Sequence, residues 1–180
     1  MLKIRDRYHP LSIWLHWLVF LLFIAVIGAI ELRGFVPRGT PLRSTLFNIH
    51  IYCGQLVFIL TVLRLAVRTA YGAPEPGGDN QFLLMVAKLV HALLYLLMGS
   101  MLFTGAAGMM AGEREVFFLG IEVPALIAPD EDLQFTLRQW HEWIGKSIIA
   151  LVGLHAAAAI WHHFLLKDGL LQRMNPHRKH

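Results

Sequence analysis

Four long apolar runs divide the chain, at about 11–32, 44–65, 82–110 and 138–165. Each is long enough, at 1.5 Å per residue, to cross the roughly 30 Å hydrocarbon core of a bilayer as a helix. The runs are apolar on every side, with neither the polar stripe of a soluble helix nor the alternation of a half-buried strand. They predict an all-α membrane protein, a four-transmembrane-helix bundle in which residues 1–180 form one domain. Ser12 is placed to cap the first helix, and Gly34 and Pro37 to end it. The connection TAYGAPEPGGDNQ reads as irregular loop. The longest connection, between the third and fourth runs, holds a stretch from Phe117 to Ile127 that is predicted to lie at the membrane interface.

Composition agrees: 56% of the 180 residues are hydrophobic and 16% charged, with a mean hydropathy of +0.54. The net charge of +4 does not point to nucleic acid, because the basic residues sit at the ends of apolar runs. It reports orientation instead. Ten of them (Lys3, Arg5, Arg7, Arg64, Arg68, Lys88, Lys167, Arg173, Arg178, Lys179) fall on the side of both termini, against five (Arg33, Arg38, Arg43, Arg114, Arg138) on the other. The excess predicts an inner-membrane protein with cytoplasmic termini. The first run follows Lys3, Arg5 and Arg7 but offers no small-residue cleavage site before Glu31 and Arg33, so it is expected to be retained. The acidic cluster Glu113, Glu115, Glu122, Asp130, Glu131 and Asp132 then lies outside. A single cysteine, Cys53, excludes a disulfide framework and covalent C-x-x-C-H haem attachment.

Histidine is the residue type out of place in lipid, where an unpaired polar group is costly. His141 and His155 stand fourteen residues apart in the fourth run, nearly on one helical face and about 21 Å apart along the axis. Taking each run in its direction through the membrane, His50 falls at the depth of His141 near the outer face, and His16 at the depth of His155 near the inner one. Two stacked pairs are what two non-covalent b-type haems require. Gly54 follows His50, and Gly145 follows His141, one turn deeper on the same face, clearing space for a flat ring; Ala156 to Ala159 do the same after His155. With imidazole on both axial positions no site stays open on the iron, which then carries electrons rather than binding ligands. His91 shares the depth of the inner pair, so three candidates compete there for two places; His162 lies beyond Trp161 and is expected at the interface. Zinc or copper is the rival use of four histidines, but the pairs are too far apart for one site and lack thiolate or carboxylate support. A proton relay through His91, His155 and His162 is compatible with haem. Lys146 is expected to snorkel outward or to meet a haem propionate.

Several segments together, HWLVFLL from His16, ELRGFVPR from Glu31, NIHIYCG from Asn48, RLAVR from Arg64, QWHE from Gln139, VGLHAAAAIWHHF from Val152 and KDGLLQRM from Lys167, resemble the bacterial cytochrome b561 family along nearly the whole chain. The resemblance implies four membrane helices, two b haems with bis-histidine ligation, and electron passage from superoxide at the periplasmic face to ubiquinone. It implies His16, His50, His141 and His155 as ligands and leaves His91 as a candidate on the quinone side. Arg33, Arg38 and Arg43 are the candidates to attract a superoxide anion to the outer haem, although six carboxylates on the same side oppose that role. The related hydrogenase and formate dehydrogenase b subunits share the di-haem design and serve a catalytic partner. The alternative is therefore a subunit that relays electrons for a periplasmic dehydrogenase or hydrogenase. In either case the partners are membrane lipid and a membrane quinone.

Overall fold

A computed structural model describes residues 7–74 and 81–175. Four long helices form: α1 (Pro10–Phe35), α2 (Pro41–Tyr71), α3 (Gln81–Ala111) and α4 (Glu131–Trp161), with a two-stranded hairpin, β1 (Val116–Phe118) and β2 (Ile121–Val123), between α3 and α4. All four are long and apolar enough to cross a membrane, and their large side chains, Leu21, Leu96 and Phe103 among them, are exposed along the shafts. In lipid that exposure is the expected state, because hydrocarbon solvates Leu as well as a protein core does. The basic residues Lys3, Arg5, Arg178 and Lys179 that enter the orientation count, and residues 75–80 of the Pro/Gly loop, lie outside the described residues.

The helices begin and end where local chemistry satisfies their free backbone groups. Pro10 and Pro41 occupy the first turns of α1 and α2, where a missing N–H costs nothing. The cap of α1 is His9, whose Nδ1 accepts from Leu11 N at 3.3 Å; Ser12, expected in that role, lies buried inside the helix. At the other end of α1, Arg43 donates to the carbonyls of Arg33 at 2.7 Å and Val36 at 2.6 Å, a cation on the negative end of the helix. The fourth helix starts seven residues, about 10 Å, before its apolar run. Asp130 caps it through Leu133 N at 2.9 Å, and Glu131 and Asp132 fill its first turn. Those two acids therefore belong to a helix projecting past the hydrocarbon, not to a loop.

Packing is unequal. The antiparallel pairs α1/α2 and α3/α4 each run together along their length, whereas α2 and α3 touch over a much shorter stretch. A small core of Val19, Val26 and Val57, with Leu22, Ile27, Cys53, Leu60 and Met98 packed against it, joins α1, α2 and α3. Past α4 the chain loosens into a π-helical turn (His162–Leu166) and a short 3-10 helix (Leu171–Met174). This tail folds back under α1, where Trp17 Nε1 donates to Met174 O at 2.9 Å and Arg7 to Asn175 O at 2.7 Å.

Replacing the cap, Asp130→Ala, is expected to cost about 1 kcal/mol. The measurement is the thermal midpoint of the detergent-solubilised protein, which should fall by a few degrees, while an unchanged midpoint would deny Asp130 that role.

Candidate functional site

Alternating helix directions bring four of the intramembrane histidines into two pairs, one near each membrane face. Toward the face that carries the β-hairpin, the rings of His50 on α2 and His141 on α4 stand 6.1 Å apart between centroids, with planes 71° apart. Toward the face that carries the termini, His16 on α1 and His155 stand 6.2 Å apart, at 83°. Two imidazoles on opposite sides of one metal are separated by two metal–nitrogen bonds of about 2 Å each plus two ring radii, or about 6 Å. Both pairs meet that separation. Rotation of either ring about the line between them does not alter it, so the large interplanar angles are compatible.

The hairpin-side pair also has its tautomers set. His50 Nδ1 donates to the Val26 carbonyl at 3.1 Å; a carbonyl only accepts, so the ring proton is on Nδ1 and Nε2 is bare. His141 Nδ1 lies 3.1 Å from Thr104 Oγ1. That hydroxyl has the carbonyls of Ser100 and Met101 within 3.0 and 3.2 Å for its own proton, which leaves its oxygen to accept from His141. Both rings thus keep a free Nε2, the arrangement that orients a metal-binding imidazole.

Three imidazoles gather near the termini face, because His91 on α3 lies 5.2 Å from His155. Its Nδ1 donates to Ala87 O at 2.7 Å within its own helix. The 5.2 Å spacing is too short for two rings across one metal, whereas His16 with His155 reproduces the spacing of the other pair. No group of three or more His, Cys, Asp or Glu side chains suited to a metal ion occurs among the described residues.

Haem b fits these surroundings. A Cβ added to Gly54, Gly28 or Gly153 would meet nothing within 4 Å, which leaves room for a flat ring beside the helices. Gly145 does less of this, since its Cβ would touch Met101 Cε at 3.6 Å, and Gly105 packs against His141, with 3.2 Å to Cε1. Haem also brings two carboxylates. Buried donors without partners wait toward each face: Arg33 Nε on one side, Arg64 Nε and Tyr95 Oη on the other. Arg64 is within electrostatic reach of His16, His91 and His155.

One turn outward from the hairpin-side pair is an arginine cluster that differs from the trio expected from the sequence. Arg33 sits 4.8 Å over the ring of Phe47, and Arg114 lies 5.8 Å from the same ring. Arg43 and Arg138 are close enough to act on Arg33 electrostatically. Arg38 stays exposed in the α1–α2 turn, outside the cluster. Arg114 and Arg138 enter the sequence reading only as charges, yet a signal exists: Phe47 precedes His50, and Arg138 precedes His141, by the three residues that put them one turn outward on the same face. Of the six carboxylates Glu113, Glu115, Glu122, Asp130, Glu131 and Asp132 none makes an ion pair with an arginine among the described residues, where the ion pairs are Lys146 with Glu142 and His162 with Asp168. Lys146 is thus engaged one turn back along its own helix.

His162 turns to the tail, where Asp168 accepts from it at 2.5 Å and from Leu170 N at 3.0 Å. Partial burial raises the Asp168 carboxyl, but the hydrogen bonds from His162 and Leu170 and the His162 charge outweigh it and hold the group below its ordinary 3.8. A lowered carboxyl stabilises the fold above its ordinary value and loses that contribution as pH falls through the lowered one.

The chain matches the family described as prokaryotic cytochrome b561 over residues 7–177. It is 31% identical over 176 residues to cytochrome b561 homolog 1 of Escherichia coli K12, covering 97% of this chain and 99% of that protein. It is 32% identical over 176 residues to the probable superoxide oxidase CybB of Yersinia pestis, with the same coverage. Cytochrome b562 of Cereibacter sphaeroides is 30% identical over 175 residues, 93% of this chain and 94% of that protein.

Thermal midpoints followed against pH test the tail contact. Wild type and Asp168→Asn should differ by a small margin above the ordinary carboxyl value of 3.8 and converge as pH falls below it; curves that stay parallel throughout would remove Asp168 from the acid response.

Proposed function

The chain belongs to the prokaryotic cytochrome b561 family of electron-transferring membrane proteins, and from that premise we propose that it is a self-contained oxidoreductase passing electrons from superoxide to a membrane quinone. His50 with His141, and His16 with His155, would each hold one haem b, and Arg64 with Tyr95 would meet a carboxylate of the second. When bound, haem b supplies a one-electron iron couple with no open coordination position. The hairpin face is periplasmic and both termini are cytoplasmic, as the basic residues favour.

The observation that carries the donor assignment is the arginine cluster. Arg33 and Arg114 about Phe47, with Arg138 within electrostatic reach of Arg33 and none of the three in an ion pair with a carboxylate among the described residues, make a site for a small anion one turn outside His50 and His141. Convergent guanidinium groups raise the local concentration of an anion and its rate of encounter. Arg43 adds charge, but its donors already cap α1. Superoxide gives up one electron there and leaves as dioxygen. Two such events, with two protons from water, convert a quinone to its quinol. His91 is the acceptor-side residue: its Nδ1 proton is spent on Ala87, so Nε2 remains as a hydrogen-bond acceptor that could take a quinol hydroxyl. The relative from Yersinia pestis, named a probable superoxide oxidase, supports the same donor.

A second reading rests on the carboxylates. Glu113, Glu115, Glu122, Asp130, Glu131 and Asp132 form no ion pair among the described residues and offer a basic periplasmic dehydrogenase a place to dock. Co-purification of such a partner at fixed stoichiometry would favour it.

The direct test supplies superoxide to purified, haem-loaded protein and follows quinol formation. Wild type should form quinol, and Arg138→Gln should slow the reaction about fivefold at low ionic strength and far less at high salt. Protein that superoxide reduces but that passes nothing to quinone would refute the proposal.

A further inference from the structure

Gln55 is among the few polar side chains buried in this fold, with 4% of its surface exposed, and neither histidine pair uses it. It lies on α2 five residues past His50, about 8 Å deeper along the helix axis. Its amide is spent on the β-hairpin: Nε2 donates to the Phe117 carbonyl at 2.6 Å, and Oε1 accepts from Leu119 N at 3.0 Å.

The hairpin explains why two bonds are needed. Its strands pair Val116 with Val123, Phe117 with Glu122 and Phe118 with Ile121, joined by a two-residue turn in which Leu119 (φ 50°) and Gly120 (φ 84°) are both left-handed. Such a turn makes Phe118 and Ile121 the hydrogen-bonded pair, so the ladder leaves the Phe117 carbonyl and the Leu119 amide pointing outward. Carbonyl of one residue and amide of the residue two on is the pattern that a third strand would satisfy. The Gln55 side chain supplies both halves of it from a helix. Non-helical backbone at membrane depth persists only where protein satisfies its polar groups, and here one side chain does so.

The consequence lies at the start of the hairpin. Arg114 stands two residues before β1, on the turn that closes α3, and its guanidinium reaches across to Phe47 on α2. The two helices otherwise touch little. Along α2, Phe47 and Gln55 are eight residues apart, so the connection is tied to that helix at two heights about 12 Å apart, with His50 between them. We infer that Gln55 is a positioning residue for the donor side: by clamping the hairpin to α2 it holds Arg114 in the arginine cluster above His50 and His141. This rests on the reading of that cluster as the donor's anion site.

The test uses haem-loaded protein and dithionite, a small anionic reductant, with stopped-flow reduction followed at low and high ionic strength. Gln55→Met keeps the length of the side chain and removes both bonds; Gly120→Val disrupts the turn without touching α2; Arg114→Gln removes the charge. Each should lower the low-salt rate about threefold and leave the rate at about 1 M salt, where the cluster is screened, unchanged. Adding Arg114→Gln to Gln55→Met should cause no further loss. The Leu119 amide should exchange with deuterium about tenfold faster in Gln55→Met. Full salt dependence in both Gln55→Met and Gly120→Val, or losses that multiply in the double variant, would overturn the assignment, as would a fall in the high-salt rate equal to that at low salt. Neither superoxide nor quinone enters this assay, so a failure of the superoxide reading and a failure of the Gln55 clamp are told apart.

Discussion

Everything distinctive about this protein follows from the cost of leaving an imidazole unpaired in hydrocarbon. Lipid does not solvate a ring nitrogen, and a four-helix bundle of Leu, Val and Phe has few partners to offer. His50 and His141 each settle one nitrogen on the protein, through Val26 and Thr104, and keep the other for something shared between them. The same separation recurs at His16 and His155. Recurrence of one distance at two depths, with α4 paired to α2 at one and to α1 at the other, is hard to obtain from packing alone.

The two faces offer different surroundings. Toward the hairpin, positive charge gathers around one aromatic ring close to water, and no carboxylate forms an ion pair with it among the described residues. Toward the termini, the third imidazole and the half-buried Arg64 and Tyr95 lie among lipid-facing helices, and the tail closes beneath them through Trp17 and Arg7. A water-borne anion suits the first environment and a lipid-soluble carrier the second. On the proposed function, that asymmetry gives the fourteen residues between His141 and His155 a direction as well as a length.

Much of this architecture is legible in the chain itself. Four spans, the pairing of histidines by depth and the resemblance to the b561 family all come from apolar length and residue spacing, which a membrane makes unusually informative. Depth alone does not separate His16 from His91, and a difference of about one ångström between ring separations decides which of them spans a metal-sized gap with His155. Other features escape the sequence because they depend on side chains meeting across it. Arg114 and Arg138 join Arg33 only once α3 and α4 have packed, and Arg38, equivalent to its neighbours by spacing, points elsewhere. The hairpin is hidden for another reason: Val116 to Val123 is apolar enough to pass for an interfacial segment, and its Leu-Gly turn lacks the Asn or Asp that usually advertises one. Nothing in the residues around Gln55 marks it as the anchor for that segment.

Counting haem directly tests the central claim, that two histidine pairs each hold a b-type haem. The measurement is the haem-to-protein ratio with its reduced absorption spectrum, for the wild type and for His141→Ala and His155→Ala. Two haems per wild-type chain, with one retained in each variant and a different one in each, is the expected result. A single haem in the wild type, or a variant that keeps both, would contradict it.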